Sequence, residues 1–492
     1  MISELLIFVI LIILIWTYYR NGGAEDLYPP GPPTLPILGN LWTLSFQLNH
    51  ETFMQLAKIY GDVYTVWLGN IPVIVVNGYK AVKEVLSSQS EDFIGRPVLP
   101  LFKDLMGEKG VIMTSGHTWK QQRRFGHMVF RNLGLGKRHM EGQIQEEAQS
   151  LLEMFAKKAG KPMDPSTLIS HSVSNVISAM VFGKRFLPED EAFQELHKAT
   201  DLVIAAPGTL WARIYDLAPH LMRHLPGPHQ RTFHYFYIMC TFIKNEVKEH
   251  CELFRSELGA GQEKDLIDYY LTQMSKTQSD SISTYNEENL VHLVADLFMT
   301  GTETVATTLC WALLYMVSFP DIQEKVQQEL DAVLEASHII DYEDRKRLPY
   351  TNAVIHEIQR FGNIVSVGVV RKCMKDTTLH GFKVQKGTII LPNISSVLFD
   401  ADQWKTPREF DPQHFLNENG KFANREAFLP FSVGQRACLG EKLARIELFI
   451  FFSNLLRTFS FQHPTGESQP RLDYVRAATI KPFPYRVCAV SR

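Results

Sequence analysis

Residues 431–440 read Phe-x-x-Gly-x-Arg-x-Cys-x-Gly, from Phe431 through Gly434, Arg436 and Cys438 to Gly440. In a chain of this length and composition, that pattern arises by chance on the order of once in ten thousand. Cys438 directly precedes an apolar stretch, 441–461, with helical periodicity. A helix N-terminus favours an anion, so the thiol is drawn toward thiolate, the form that binds a metal. Glycines at 434 and 440 let the backbone lie close to a flat ligand where a Cβ would collide. Backbone N–H groups in such a turn can point at the sulfur. Arg436, two residues earlier, is placed to meet a carboxylate. The pattern describes a thiolate metal site beside a flat, acid-bearing ligand, against the alternative of an inert cysteine in a turn.

A second chemical segment lies upstream. Thr284-Tyr-Asn-Glu287 reads as a capping box, opening an apolar helix that runs to about Phe319, where Pro320 stops it. At 1.5 Å per residue this is roughly 50 Å of helix. It is apolar nearly all round, which predicts a central, buried element. Midway it carries Thr300-Gly-Thr-Glu-Thr304. Gly and Thr weaken a helix, and Thr hydroxyls that bond back to i−4 carbonyls bend it. A charged Glu303 there is expensive without a partner or a task. The expectation is a helix opened over a bound ligand, with Glu303 and Thr304 handling protons.

The cysteine loop resembles that of the cytochromes P450. The central helix is similar to their distal helix, Ala/Gly-Gly-x-Asp/Glu-Thr-Thr/Ser, with Thr300 and Val305 as departures. The resemblance covers essentially the whole chain and is nearest the vertebrate microsomal family-two members, with a lean toward the fatty-acid epoxygenase branch. It implies a mainly α fold with small β-sheets and an N-terminal transmembrane anchor. It also implies haem b bound through Cys438, whose thiolate pushes electron density onto iron and favours O–O cleavage. By the same resemblance Thr304 and Glu303 are catalytic, and Phe431 belongs to the cofactor loop. Arg96, Trp119, Arg123, Arg371 and Arg436 hold the haem propionates. Ser366 and Val370 stand where prolines are usual near Arg371. Ala295, Phe298, Val365 and Thr479 are the implied substrate contacts, within segments that include 97–114, 202–206 and 477–480.

On spacing alone, Glu357-Ile-Gln-Arg360 is an ordinary surface ion pair of little worth. The resemblance places it in a buried network with Pro412-Gln-His-Phe415, where His414 replaces a common Arg. The implied activity is insertion of one oxygen atom into a lipophilic substrate. Electrons would come from NADPH through a flavoprotein, the NADPH–cytochrome P450 reductase, with cytochrome b5 as a further partner. Lys120, Arg124, Lys442 and Arg445 are the candidate docking charges. A haem-thiolate isomerase or dehydratase, or a haem sensor, is the rival reading. Glu303-Thr304 argues against the isomerase.

The remaining sequence supplies the frame. Net charge is −3, with no basic excess to suggest nucleic acid. The six cysteines form no Cys-x-x-Cys pair and suggest neither a disulfide framework nor a zinc module. His220 and His224 have i, i+4 spacing without a zincin glutamate and read as surface residues. Leu5–Tyr19 is uncharged and apolar, about 18 residues with Ile2, the short end of a membrane span. It lacks the basic leader of a signal peptide. With Arg20 after it, the bulk of the chain is expected on the cytosolic face of the endoplasmic reticulum membrane. Pro29-Pro-Gly-Pro-Pro33 is a stiff hinge. The expected organisation is an anchor at 1–20, a hinge at 21–39 and one domain over 40–492. A hairpin is predicted around Gly69-Asn70, and the polar stretch 257–283 reads as a surface connection.

Overall fold

A computed structural model describes residues 4, 7–8, 10–15, 27–134, 138–256, 263–335 and 337–492. The longer helices are α1 (His50–Tyr60), α2 (Gly116–Asn132), α3 (Arg138–Ala156), α4 (Ser166–Phe182), α5 (Glu191–Ala205), α6 (Leu210–Leu217), α7 (Pro228–Ser256), α8 (Leu266–Lys276), α9 (Glu287–Ser318), α10 (Pro320–Val333), α11 (Pro349–Gly362) and α12 (Glu441–Thr458). The strands are β1 (Val63–Leu68), β2 (Ile71–Val76), β3 (Arg371–Lys372), β4 (Thr377–Leu379), β5 (Phe382–Val384), β6 (Ile389–Pro392), β7 (Phe459–Gln462), β8 (Tyr474–Arg476), β9 (Ile480–Pro482) and β10 (Cys488–Ser491).

Helix α9 is the axis. It packs on α4, α7, α11 and α12, and most of its side chains are buried. Among the described residues it is the one helix long and apolar enough to cross a membrane, yet it is a core element. Its start differs from the expected capping box. Asn286 is the N-cap and accepts from Asn289 N. Thr284 instead binds α2, through hydrogen bonds with Gln121 and Gln122. Tertiary contact thus claims the hydroxyl that the sequence offers as a cap. Pro320 ends the helix by opening α10 at its first position.

The predicted hairpin is β1–β2, antiparallel, with Val63 opposite Val76. β2 continues the sheet in parallel to β6, and β6 pairs with β3. This sheet carries Arg371 on β3 into the interior. The proline segment lies against β1. The Pro30 carbonyl accepts from Thr65 N, and a Cβ on Gly31 would stand 1.9 Å from the Thr65 carbonyl oxygen. The stretch 257–283 is not purely a connection, because α8 lies within it and packs on α4 and α7 through Leu266, Ile267, Tyr270 and Leu271. His220 and His224 are exposed, as expected. The N-terminal apolar run lies partly outside the described residues. Residues 10–15 are helical, and Ile7, Phe8 and Leu11 are exposed.

The Glu357–Arg360 pair is fully buried. Arg360 Nε and Nη2 meet both Glu357 oxygens at 2.7 Å. Its remaining N–H groups donate to the carbonyls of Leu398, Pro407 and Glu409, so all five guanidinium donors are satisfied. Glu357 also accepts from Asp411 N and from His414 Nδ1, which joins the 412–415 turn to α11. Removing one partner of such a pair leaves a buried charge and costs about 3–5 kcal/mol. We expect Arg360→Ala to lower the urea midpoint correspondingly and deplete soluble protein. Arg360→Lys should fail to rescue it, since an ammonium cannot serve five fixed acceptors. A wild-type urea midpoint for Arg360→Ala would refute this role.

Candidate active site

The cysteine loop folds back on itself. Cys438 N donates to the Phe431 carbonyl at 2.9 Å, and Ala437 N to the Gly434 carbonyl at 3.0 Å. Gly434 has φ +80°, and a Cβ there would sit 1.8 Å from the Leu86 carbonyl oxygen. A neighbouring backbone therefore demands glycine at this position. Gly440 is the N-cap of α12 and has open space where a Cβ would project. The accessible surface of Cys438 opens into a cavity of about 300 Å³, and the surrounding protein otherwise encloses the thiol. Burial pushes its thiol pKa up. The N–H groups of Gly440 and Glu441 and the nearby Arg123 oppose that rise. The helix terminus thus works against the effect of burial at this thiol.

Arg96, Trp119, Arg123, Arg371 and Arg436 all line this same cavity, as does Phe431. They come from the loop before α2, from α2, from β3 and from the cysteine loop. Arg96 is braced by the carbonyls of Ile112, Val369 and Val370. Arg436 donates to the carbonyls of Ile94, Val111 and Thr114, and lies 4.0 Å over the Trp119 ring. Arg123 donates to the Ala437 carbonyl. Burial, reinforced by mutual repulsion, pushes Arg371 down to about 10, Arg436 down to about 9 and Arg96 well below its ordinary value. Trp119 Nε1 and one Arg371 nitrogen are buried with no partner. These unmet donors and unpaired cations fit a ligand that carries two carboxylates, as haem does, and Cys438 faces the same cavity.

Helix α9 forms the opposite wall and runs unbroken; it is not opened over the cavity. Thr300, Thr304 and Thr308 form one stripe in the wall, each hydroxyl donating to the carbonyl four residues back. Ala295 and Phe298 are not in it. At 100° per residue they lie about 180° and about 120° around the helix from Thr304. Phe298 packs instead among Phe182, Phe193 and His197. Val365 does line the cavity. Thr479 does not; its hydroxyl donates to Glu303 Oε1 at 2.6 Å. Glu303 is likewise outside the wall. Its other oxygen pairs with Lys481 at 3.0 Å, and Lys481 also meets Asp201. Burial raises the Glu303 pKa, against the Lys481 charge. The expected segments 202–206 and 477–480 contribute nothing to the wall, whereas Ile177 and Met180 of α4 do.

Two acids escaped the sequence reading. Glu447 on α12 lines the cavity with both oxygens unpartnered, and burial raises its pKa well above the carboxylate range. An acid inside the apolar run 441–461 was the available signal. Asp296 clamps the loop before α2, its Oδ2 accepting from Val111 N at 2.7 Å and Ile112 N at 3.0 Å.

The family model described as Cytochrome P450 matches residues 29–489. "Cytochrome P450 2J2" of Homo sapiens is 44% identical over 94% of this chain and 91% of its own length. "Cytochrome P450 2J1" of Oryctolagus cuniculus is 42% identical over 97% and 94%. "Cytochrome P450 2D10" of Mus musculus is 39% identical over 98% and 96%. The chain belongs to the cytochrome P450 family. It is a haem-thiolate monooxygenase of lipophilic substrates, with haem b as cofactor.

Burial pushes Asp296 from its ordinary 3.8 up to about 7. The folded protein then holds a proton that the unfolded chain has released, so this group's contribution to stability falls as pH rises from about 4 to about 7. Asp296→Asn keeps an acceptor for Val111 and Ile112 without titrating. Its stability relative to wild type should rise by up to about 1.4 kcal/mol per pH unit between about pH 5 and about pH 7. Urea denaturation at several pH values tests this; a difference that does not change with pH would contradict it.

Proposed function

We propose that Cys438 would hold the haem iron and that Trp119, Arg96, Arg123, Arg371 and Arg436 would receive the haem propionates, with Phe431 shaping the loop. The observation that carries this is one cavity wall shared by an accessible cysteine, four arginines and the Thr304 hydroxyl. Bound haem supplies the redox centre at which dioxygen is reduced and one oxygen atom passes to substrate while the other leaves as water. The apolar wall, including Val365, Ile177 and Leu297, orients a lipid-like substrate and excludes water. Thr304 presents a hydroxyl that exchanges its bond to the Thr300 carbonyl for one into the cavity. Glu303 feeds protons after leaving Lys481, which is 35% exposed and so within reach of solvent.

Electrons arrive from NADPH through NADPH–cytochrome P450 reductase, with cytochrome b5 as a second donor. Lys120, Arg124 and Lys442 are exposed and suit an acidic partner surface. Arg445, grouped with them by sequence, is turned toward Glu441 and His356. The protein sits on the endoplasmic reticulum membrane with its domain on the cytosolic face. The N-terminal apolar run and exposed Trp42, Leu210, Trp211 and Leu221 support a lipid-facing side, from which substrate enters.

Purified protein, reductase, NADPH and a panel of polyunsaturated fatty acids and steroids in isotopically labelled dioxygen test this reading. Label should enter a hydroxylated or epoxidised product only with NADPH. Thr304→Ala should keep its haem and lose about tenfold or more of product per NADPH consumed. Unlabelled, rearranged product formed without NADPH would replace the monooxygenase with an isomerase.

A further inference from the structure

His356 lies one residue before Glu357 on α11, yet it faces other partners. It is buried, with the rings of Phe415, Phe422 and Phe428 around it at centroid distances of 5.4, 4.5 and 5.0 Å. Its Nδ1 lies 2.7 Å from the Asn352 carbonyl oxygen, and its Nε2 lies 3.0 Å from Arg445 Nη1. A carbonyl only accepts and a guanidinium only donates. Nδ1 therefore carries the proton and Nε2 offers its lone pair. Burial and the Arg445 charge push the imidazole pKa down to about 3, so the ring stays neutral and that lone pair stays available.

Arg445 lies on α12, two turns beyond Cys438. Its Nε and Nη2 reach Glu441 Oε1 at 3.0 and 2.9 Å. That carboxylate is 38% exposed and the pair is i, i+4, an arrangement too weak alone to hold a long side chain in place. The buried His356 acceptor is the firmer attachment. So held, the guanidinium carbon stands 4.9 Å from the centroid of the Phe431 ring, a cation–π contact. Phe431 in turn accepts the Cys438 N–H at its carbonyl. One line of contacts thus runs from α11 through Arg445 and Phe431 to the ligand cysteine. A histidine that merely filled space among phenylalanines would need neither its second nitrogen nor a fixed tautomer.

We propose that His356 is a positioning residue for the cysteine loop: by fixing the Arg445 guanidinium against the Phe431 ring, it holds the backbone that presents Cys438 to the metal. This rests on Cys438 being the axial ligand. His356 is not in the cavity wall and acts only through Arg445 and Phe431.

The readout is spectroscopic. The ferrous–carbon monoxide complex of the full-length haem-loaded protein is followed in time, and the rate at which it loses its thiolate-ligated absorption band is measured beside the urea midpoint. His356→Phe, which keeps an aromatic ring but no acceptor, should lose the band about tenfold faster or more, the factor expected for one lost hydrogen bond to a charged donor. His356→Gln, whose Oε1 can accept from Arg445, should restore most of the wild-type lifetime. Arg445→Gln should match His356→Phe, and the double variant should be no faster than either single. A wild-type lifetime in His356→Phe, or multiplied effects in the double variant, would overturn the proposal. Should His356→Phe not accumulate, Arg445→Gln alone decides, because its side chain is partly exposed and a wild-type lifetime there equally overturns it. Absence of a thiolate band in the wild-type protein would instead sink the assignment of Cys438.

Discussion

Four guanidinium groups share one cavity wall, and among the described residues no carboxylate pairs with any of them. Burying unpaired charge is costly, and here each cation also repels the others. The depressed pKa values of Arg371 and Arg436 express that cost. The arginines arrive from a loop, from α2, from β3 and from the cysteine loop, so much of the fold is spent on bringing like charges together. A dianionic ligand relieves the repulsion, which couples cofactor binding to stability by mass action.

The contrast with Arg360 is instructive. That guanidinium is buried more deeply still, but every donor meets an oxygen of the chain itself. It needs no ligand and acts as scaffold, tying α11 to the loops 398–415. The cavity arginines are braced on one side by backbone carbonyls and leave donors such as one Arg371 nitrogen unmet on the other. Burial alone does not separate a structural charge from a functional one; the completeness of its hydrogen bonding does.

What was legible in the sequence is what is local. The cysteine loop carries its spacing within ten residues, and α9 announces itself by length and apolarity. The side of α9 that meets the cavity was not legible, because a helix apolar all round has no hydrophobic face to read. The Thr300, Thr304 and Thr308 stripe at i+4 spacing marked that side, and it excludes Ala295 and Phe298. Glu303 turns away because Lys481 and Thr479, far along the chain, claim its oxygens. The burial of Glu357 and Arg360 was equally invisible in their spacing and came only through the family resemblance. Helix α8 hid in a polar stretch, although Leu266, Ile267, Tyr270 and Leu271 carry a helical repeat.

Recognition of carboxylates by the arginine cluster is tested most directly by titrating haem-free protein with haem b and with haem whose two propionates are methyl esters. Each lost charge-assisted contact is worth roughly 1.5–3 kcal/mol. Loss of both carboxylates should therefore weaken binding by about a hundredfold or more. Equal affinity for the two forms would contradict the assignment of this cavity as a site built around a dianionic haem.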